Sequence, residues 1–176
     1  PTSSRRQRQM CIRDRNYENI WCTTGIHPNN VSSEPDTIQL DDIQNKISEN
    51  LKNKKVVGLG ETGLDFFRGK KNRTNQIESF MLHLFLSGEK KYPTIVHTRD
   101  ADNDTINCLN ESVKKYSSTG LIHCFTSTKQ FAKKALDNGF YISFSGIITF
   151  KNAIDLVDVV KYVPTDKLLV ETDSPF

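Results

Sequence analysis

Six short apolar runs, each followed by polar residues and then by an amphipathic stretch, constrain this chain more than any other feature. The runs lie at 20–24, 55–59, 94–96, 121–122, 140–144 and 168–170. Their length suits strands, and turn residues flank them. Between them Ile43, Ile47 and Leu51 recur every fourth residue, and Ile77, Phe80, Met81 and Leu84 keep helical spacing. Ile106, Leu109 and Val113 form another such stripe, as do Phe131 and Ala135, and Asn138-Gly139 is a helix stop. A weaker helix is expected over 153–160, ended by Pro164. Alternation of this kind predicts βαβ units and a parallel sheet, an α/β fold.

Two architectures accommodate such units: an open doubly wound sheet and a TIM-type (β/α)8 barrel. No GxGxxG or GxxxxGK follows a strand, which weakens the nucleotide-binding form of the open sheet. A whole barrel takes about 250 residues. Six units in 176 residues match a barrel without its first two, so the expectation is a fragment covering roughly strands 3 to 8. Residues 16–176 are expected to form this partial barrel. Residues 1–15 lack apolar periodicity, and the string MCIRDR matches one reading frame of a transposon end used in sequencing libraries. They are expected to be non-native or disordered.

Charge and cysteine content narrow the function. Part of the net charge of +3 sits on Arg5, Arg6, Arg8, Arg13 and Arg15, opposed only by Asp14. The remainder is near neutral, without the basic stripe of a dedicated nucleic-acid-binding module. Cys11, Cys22, Cys108 and Cys124 show no CxxC spacing and read as reduced thiols of a cytoplasmic protein. No run approaches the roughly 20 apolar residues of a membrane helix, so no membrane partner is expected. A monomer is expected.

The chemistry lies after the strands. His27 follows the first run, Glu61 and Asp65 the second, His97 and Arg99 the third, His123 the fourth, and Glu171 and Asp173 the sixth. Parallel strands gather their C-terminal ends on one face, where barrels carry their active sites. A histidine at a strand end is often only a hydrogen-bonded rim residue. Three of the four histidines converging there with carboxylates point instead to a divalent ion such as zinc or manganese. The fourth, His83, reads as a surface residue of a helix. Gly58 and Gly60 either let the backbone crowd the site or relieve packing. Cys124 should face away from His123 by strand alternation and belong to the core. Arg99 either forks onto a substrate phosphate or, the favoured reading, pairs with Asp100 or Asp65. Glu171 is expected to hydrogen-bond a ligand.

At these residues the sequence resembles the TatD family of metal-dependent deoxyribonucleases, within the amidohydrolase-type barrels. The matching strings are TTGIHP, VVGLGETGLDFF, YPTIVHTRDA, GLIHCFTST, GFYISFSGIITF and VPTDKLLVETDSPF, in the family's order. The resemblance implies two divalent ions (Zn, Mg or Mn) and a substrate that is DNA or another phosphate ester. It implies Glu61 shared between the metals, His97 and His123 on one of them, and Asp173 on the other, accepting the proton of the attacking water. It implies His27 at the mouth, near the substrate phosphate. Glu61 and Asp173 are thus the catalytic candidates. The family's first-strand HxH pair has no counterpart in this sequence, so the ligands of one metal are kept and most of the other site is not. Two other readings stand beside this one: an amidohydrolase or lactonase on a small carbonyl substrate, and an inactive fragment.

Overall fold

The strands lie side by side in chain order, and that order decides between the two architectures. The computed structural model describes residues 17–31, 40–67 and 72–173; the segment 1–15 lies outside them. The strands are β1 (Cys22–Thr24), β2 (Val56–Asp65), β3 (Thr94–Arg99), β4 (Gly120–Ile122), β5 (Tyr141–Phe144) and β6 (Leu168–Val170). All pair in parallel in the order β1 to β6. The helices are α1 (Leu40–Asn50), α2 (Arg73–Lys90), α3 (Asp102–Tyr116), α4 (Lys129–Asp137) and α5 (Ile154–Tyr162). Right-handed crossovers that always advance to the next strand keep every helix on one face, as in a barrel wall. A doubly wound sheet needs a reversal of strand order, and none occurs among the described residues.

The core confirms that one-sided layering. Leu64, Val96, Ile122, Ile142 and Phe144 of the strands pack in a single cluster with Phe80 and Leu84 of α2, Leu109 of α3, Phe131 and Ala135 of α4, and Leu156 and Val159 of α5. Burying each large side chain of this set contributes roughly 2 kcal/mol. Ile47 of α1, Leu59 and Leu86 form a smaller cluster beside it. The helical stripes of the sequence therefore face the sheet as expected. Helix α4 opens on Thr128, whose hydroxyl accepts from the Phe131 N–H at 3.2 Å, and stops at Asp137 before Gly139 at φ 81°.

Two strands run further than their apolar runs. β2 continues through Glu61 to Asp65, and β3 through His97 to Arg99, pairing Gly63 with His97 and Asp65 with Arg99. Glu61, Asp65, His97 and Arg99 are thus on the strands and not in loops after them. Glycine makes the extension possible. At Gly63 (φ 137°) a Cβ would lie 2.0 Å from the His97 carbonyl oxygen, and at Gly60 (φ 150°) 2.7 Å from that of Ile95. Backbone crowding is therefore real, and it is directed against β3.

Among the described residues, Cys108 and Cys124 are free thiols. No helix among the described residues is long and apolar enough to cross a membrane.

Candidate metal centre

Strands β2 and β3 and the segments that follow β4 and β6 bring Glu61, His97, His123 and Asp173 together. Oε1 of Glu61 lies 3.0 Å from Nδ1 of His97, 3.5 Å from Nε2 of His27 and 3.8 Å from Nε2 of His123. Nε2 of His123 is also 3.3 Å from Oδ1 of Asp173. These separations suit neighbouring donors on a metal ion with bonds of about 2.1 Å.

His97 and His123 each meet carboxylates on both ring nitrogens. His97 meets Glu61 on Nδ1 and Asp65 Oδ2 on Nε2, the latter at 3.2 Å. His123 meets Glu171 Oε2 on Nδ1 at 2.5 Å and faces Glu61 and Asp173 with Nε2. A neutral imidazole has one N–H to give, so one of its two carboxylate contacts sets a lone pair against an anion. A cation at the inner nitrogen removes that conflict, while the outer carboxylate fixes ring and tautomer. The donor set therefore fits a divalent ion on an observation internal to the site. Glu171 has the hydrogen-bonding role expected of it, and its Oε1 also accepts from the Cys124 N–H at 2.6 Å.

His27 stands apart chemically. Its Nε2, Glu61 and His97 can be grouped within metal-ligating reach. Yet its Nδ1 accepts the Asn29 N–H at 3.1 Å, capping the 3-10 turn Pro28–Asn30. In a neutral ring Nε2 then carries the proton and is a donor, not a ligand. Burial keeps its pKa below the ordinary value, with partial opposition from Glu61. Burial would raise Glu61, but the His97 hydrogen bond and the surrounding histidines outweigh it and hold the carboxyl below its usual range. For His123 burial pulls down, while Glu171, Glu61 and Asp173 together push the ring above its ordinary value.

Helix α2 supplies what the sequence reading missed. His83 is not a surface residue: it is fully buried, accepts the Ile26 N–H on Nε2 at 3.1 Å and contacts the Ser79 carbonyl with Nδ1 at 2.6 Å. It therefore anchors the segment that presents His27. Seven residues earlier on the same helix face, Gln76 clamps the backbone of Asp65, accepting at 2.8 Å and donating at 3.1 Å. Polar residues in an apolar stripe at helical spacing were the available signal. Cys124 also departs from expectation. Its φ of 44° breaks strand alternation, so its thiol lies half-buried 3.2 Å from Ser145 Oγ and 3.6 Å from Asp173 Oδ2. Arg99 makes no ion pair with Asp100 or Asp65; its guanidinium lies over the Phe67 ring, 3.6 Å from the centroid.

Known proteins resemble this chain. The chain is 45% identical to the uncharacterized metal-dependent hydrolase YcfH of Escherichia coli K12, over 90% of this chain and 57% of that protein. It is 30% identical to the 3'-5' ssDNA/RNA exonuclease TatD of Cronobacter sakazakii, over 99% of this chain and 65% of that one. The crystal structure of YjjV, a TatD homolog from Escherichia coli K12, superposes with a TM-score of 0.81 at 25% identity, covering 95% of this chain and 62% of YjjV. The chain thus spans somewhat over half the length of these relatives. The family model described as TatD related DNase matches residues 2–176, and to that family this chain belongs.

Proposed function

We propose that the protein represented by this chain is a divalent-metal-dependent phosphodiesterase that hydrolyses DNA. The observation that carries the reading is the pair of histidines, His97 and His123, each with carboxylates on both ring nitrogens around Glu61. The name of the Cronobacter relative supports a nucleic-acid substrate. Six strands in unbroken order, with β1 and β6 each paired on one side only among the described residues, support assigning residues 16–176 to strands 3 to 8 of an eight-stranded barrel.

Glu61, His97, His123 and Asp173 would hold the metal, with Glu61 shared in a two-ion site. A bound divalent ion lowers the pKa of its water toward neutrality and offsets phosphate charge. Asp173, its side chain 38% exposed at the mouth, accepts the proton of the attacking water on a carboxylate oxygen. His27 donates Nε2–H to a phosphate oxygen, because its Nδ1 is committed to Asn29. Asp65 and Glu171 keep the two ligand rings in register.

Assay of labelled single-stranded DNA with added Mg, Mn or Zn, before and after chelation, tests this. Cleavage should require metal, and Glu61→Gln or His123→Ala should abolish it while leaving the circular dichroism spectrum unchanged. Undiminished turnover in EDTA would sink the proposal, and hydrolysis of amides or lactones but not DNA would reassign the bond.

A further inference from the structure

Beside the metal centre lies a second group of side chains for which the reaction above has no use. Phe67, just past β2, leaves 57% of its surface exposed. Arg99, the last residue of β3, places the central carbon of its guanidinium over that ring, 3.6 Å from the centroid. Of the acids around it, Asp104 pairs with Arg73 at 2.6 Å and Asp102 takes the Ser127 hydroxyl. The pair fronts a cavity of about 620 Å³, shared with Asp100, Asp102, Thr126 and Ser127. That volume accommodates a nucleotide-sized group.

This platform is joined to the metal centre through one carboxyl group. Asp65 accepts from the Phe67 N–H on Oδ1 at 3.1 Å and meets His97 on Oδ2 at 3.2 Å. Arg99 shares the strand with His97 and, two residues on, the same strand face.

We propose that Phe67 and Arg99 form a stacking platform for one base of a single-stranded nucleic acid, with the guanidinium also meeting the adjoining phosphate; this rests on the nuclease reading of the metal centre. Exposed phenyl and guanidinium planes are the surfaces on which unpaired bases stack, and a duplex does not offer its base faces. The carboxylates of Asp100 and Asp102 on the cavity offer acceptors to the exocyclic amino group of a base edge. With the chain near neutral outside its N-terminal arginines, stacking carries affinity that charge does not supply.

The test is binding of a dye-labelled single-stranded hexanucleotide in EDTA, read by fluorescence anisotropy, beside the same strand with one abasic position. Wild type should bind the abasic strand about tenfold more weakly. Phe67→Ala should bind both strands alike, at the weaker level. Arg99→Gln should weaken both and lower the slope of log affinity against log salt by about 1. The platform is overturned if Phe67→Ala binds the intact strand as wild type does, if it keeps the full abasic penalty, or if wild type binds neither strand. Metal-dependent hydrolysis of bis(p-nitrophenyl) phosphate by wild type, a diester without a base, is read separately. Its absence overturns the nuclease reading, whereas its presence beside unchanged Phe67→Ala binding overturns the platform alone.

Discussion

Replacing His83 by glutamine removes a titrating group from the core while keeping one acceptor for Ile26 and one donor for Ser79. In the native molecule both ring nitrogens are engaged in the neutral form, and a second proton would point an N–H at the Ile26 N–H. Burial pushes the pKa down to about 4. In an unfolded chain the same ring titrates near 6.5. The folded value lies below the unfolded one, so the unfolded state takes up the proton first. The stability contributed by His83 is complete above about pH 6.5 and is lost as pH falls toward 4. At about 1.4 kcal/mol per pH unit, the loss across that interval is about 3 kcal/mol. Glutamine does not titrate. The wild-type advantage over His83→Gln at neutral pH should therefore shrink by about 3 kcal/mol by pH 4. Urea denaturation followed by far-ultraviolet circular dichroism at constant salt measures it, because the carboxylates contribute to both proteins and cancel in the difference. A difference that stays constant across the interval would refute the reasoning.

Two further outcomes follow from the geometry. Glu171→Gln removes the carboxylate that holds Nδ1 of His123, and metal affinity measured by calorimetry should fall by about 10- to 100-fold with the fold intact. Gly63→Ala forces a methyl onto the His97 carbonyl oxygen in a backbone conformation that side chains avoid, so a loss of at least about 3 kcal/mol in denaturant titration is expected.

The layered fold was legible because it rests on apolar periodicity, which strands and helices write directly into sequence. That Glu61, His97, His123 and Asp173 would lie close together was legible because each follows such a run. The strand extents were not, since Gly60 and Gly63 look like turn residues until β3 is seen pressing against them. His83 was misread for a related reason. Its spacing places it on the buried stripe of α2, but only the position of Ile26, far away in sequence, gives a buried imidazole its partner. Cys124 failed the alternation rule because its backbone leaves the strand at that residue. Arg99 found an aromatic plane in place of a carboxylate, a choice between two neighbours that spacing does not rank.

Strand order that repeats chain order also has a meaning in time. A sheet of this kind is able to grow one strand after another as the polypeptide leaves the ribosome, each new unit docking on the one just made. Glu61 meets His97 as soon as β3 is laid down, but His123 receives its orienting carboxylate only when β6 arrives with Glu171. The orientation of the His123 ring thus waits on Glu171, which follows the last of the described strands.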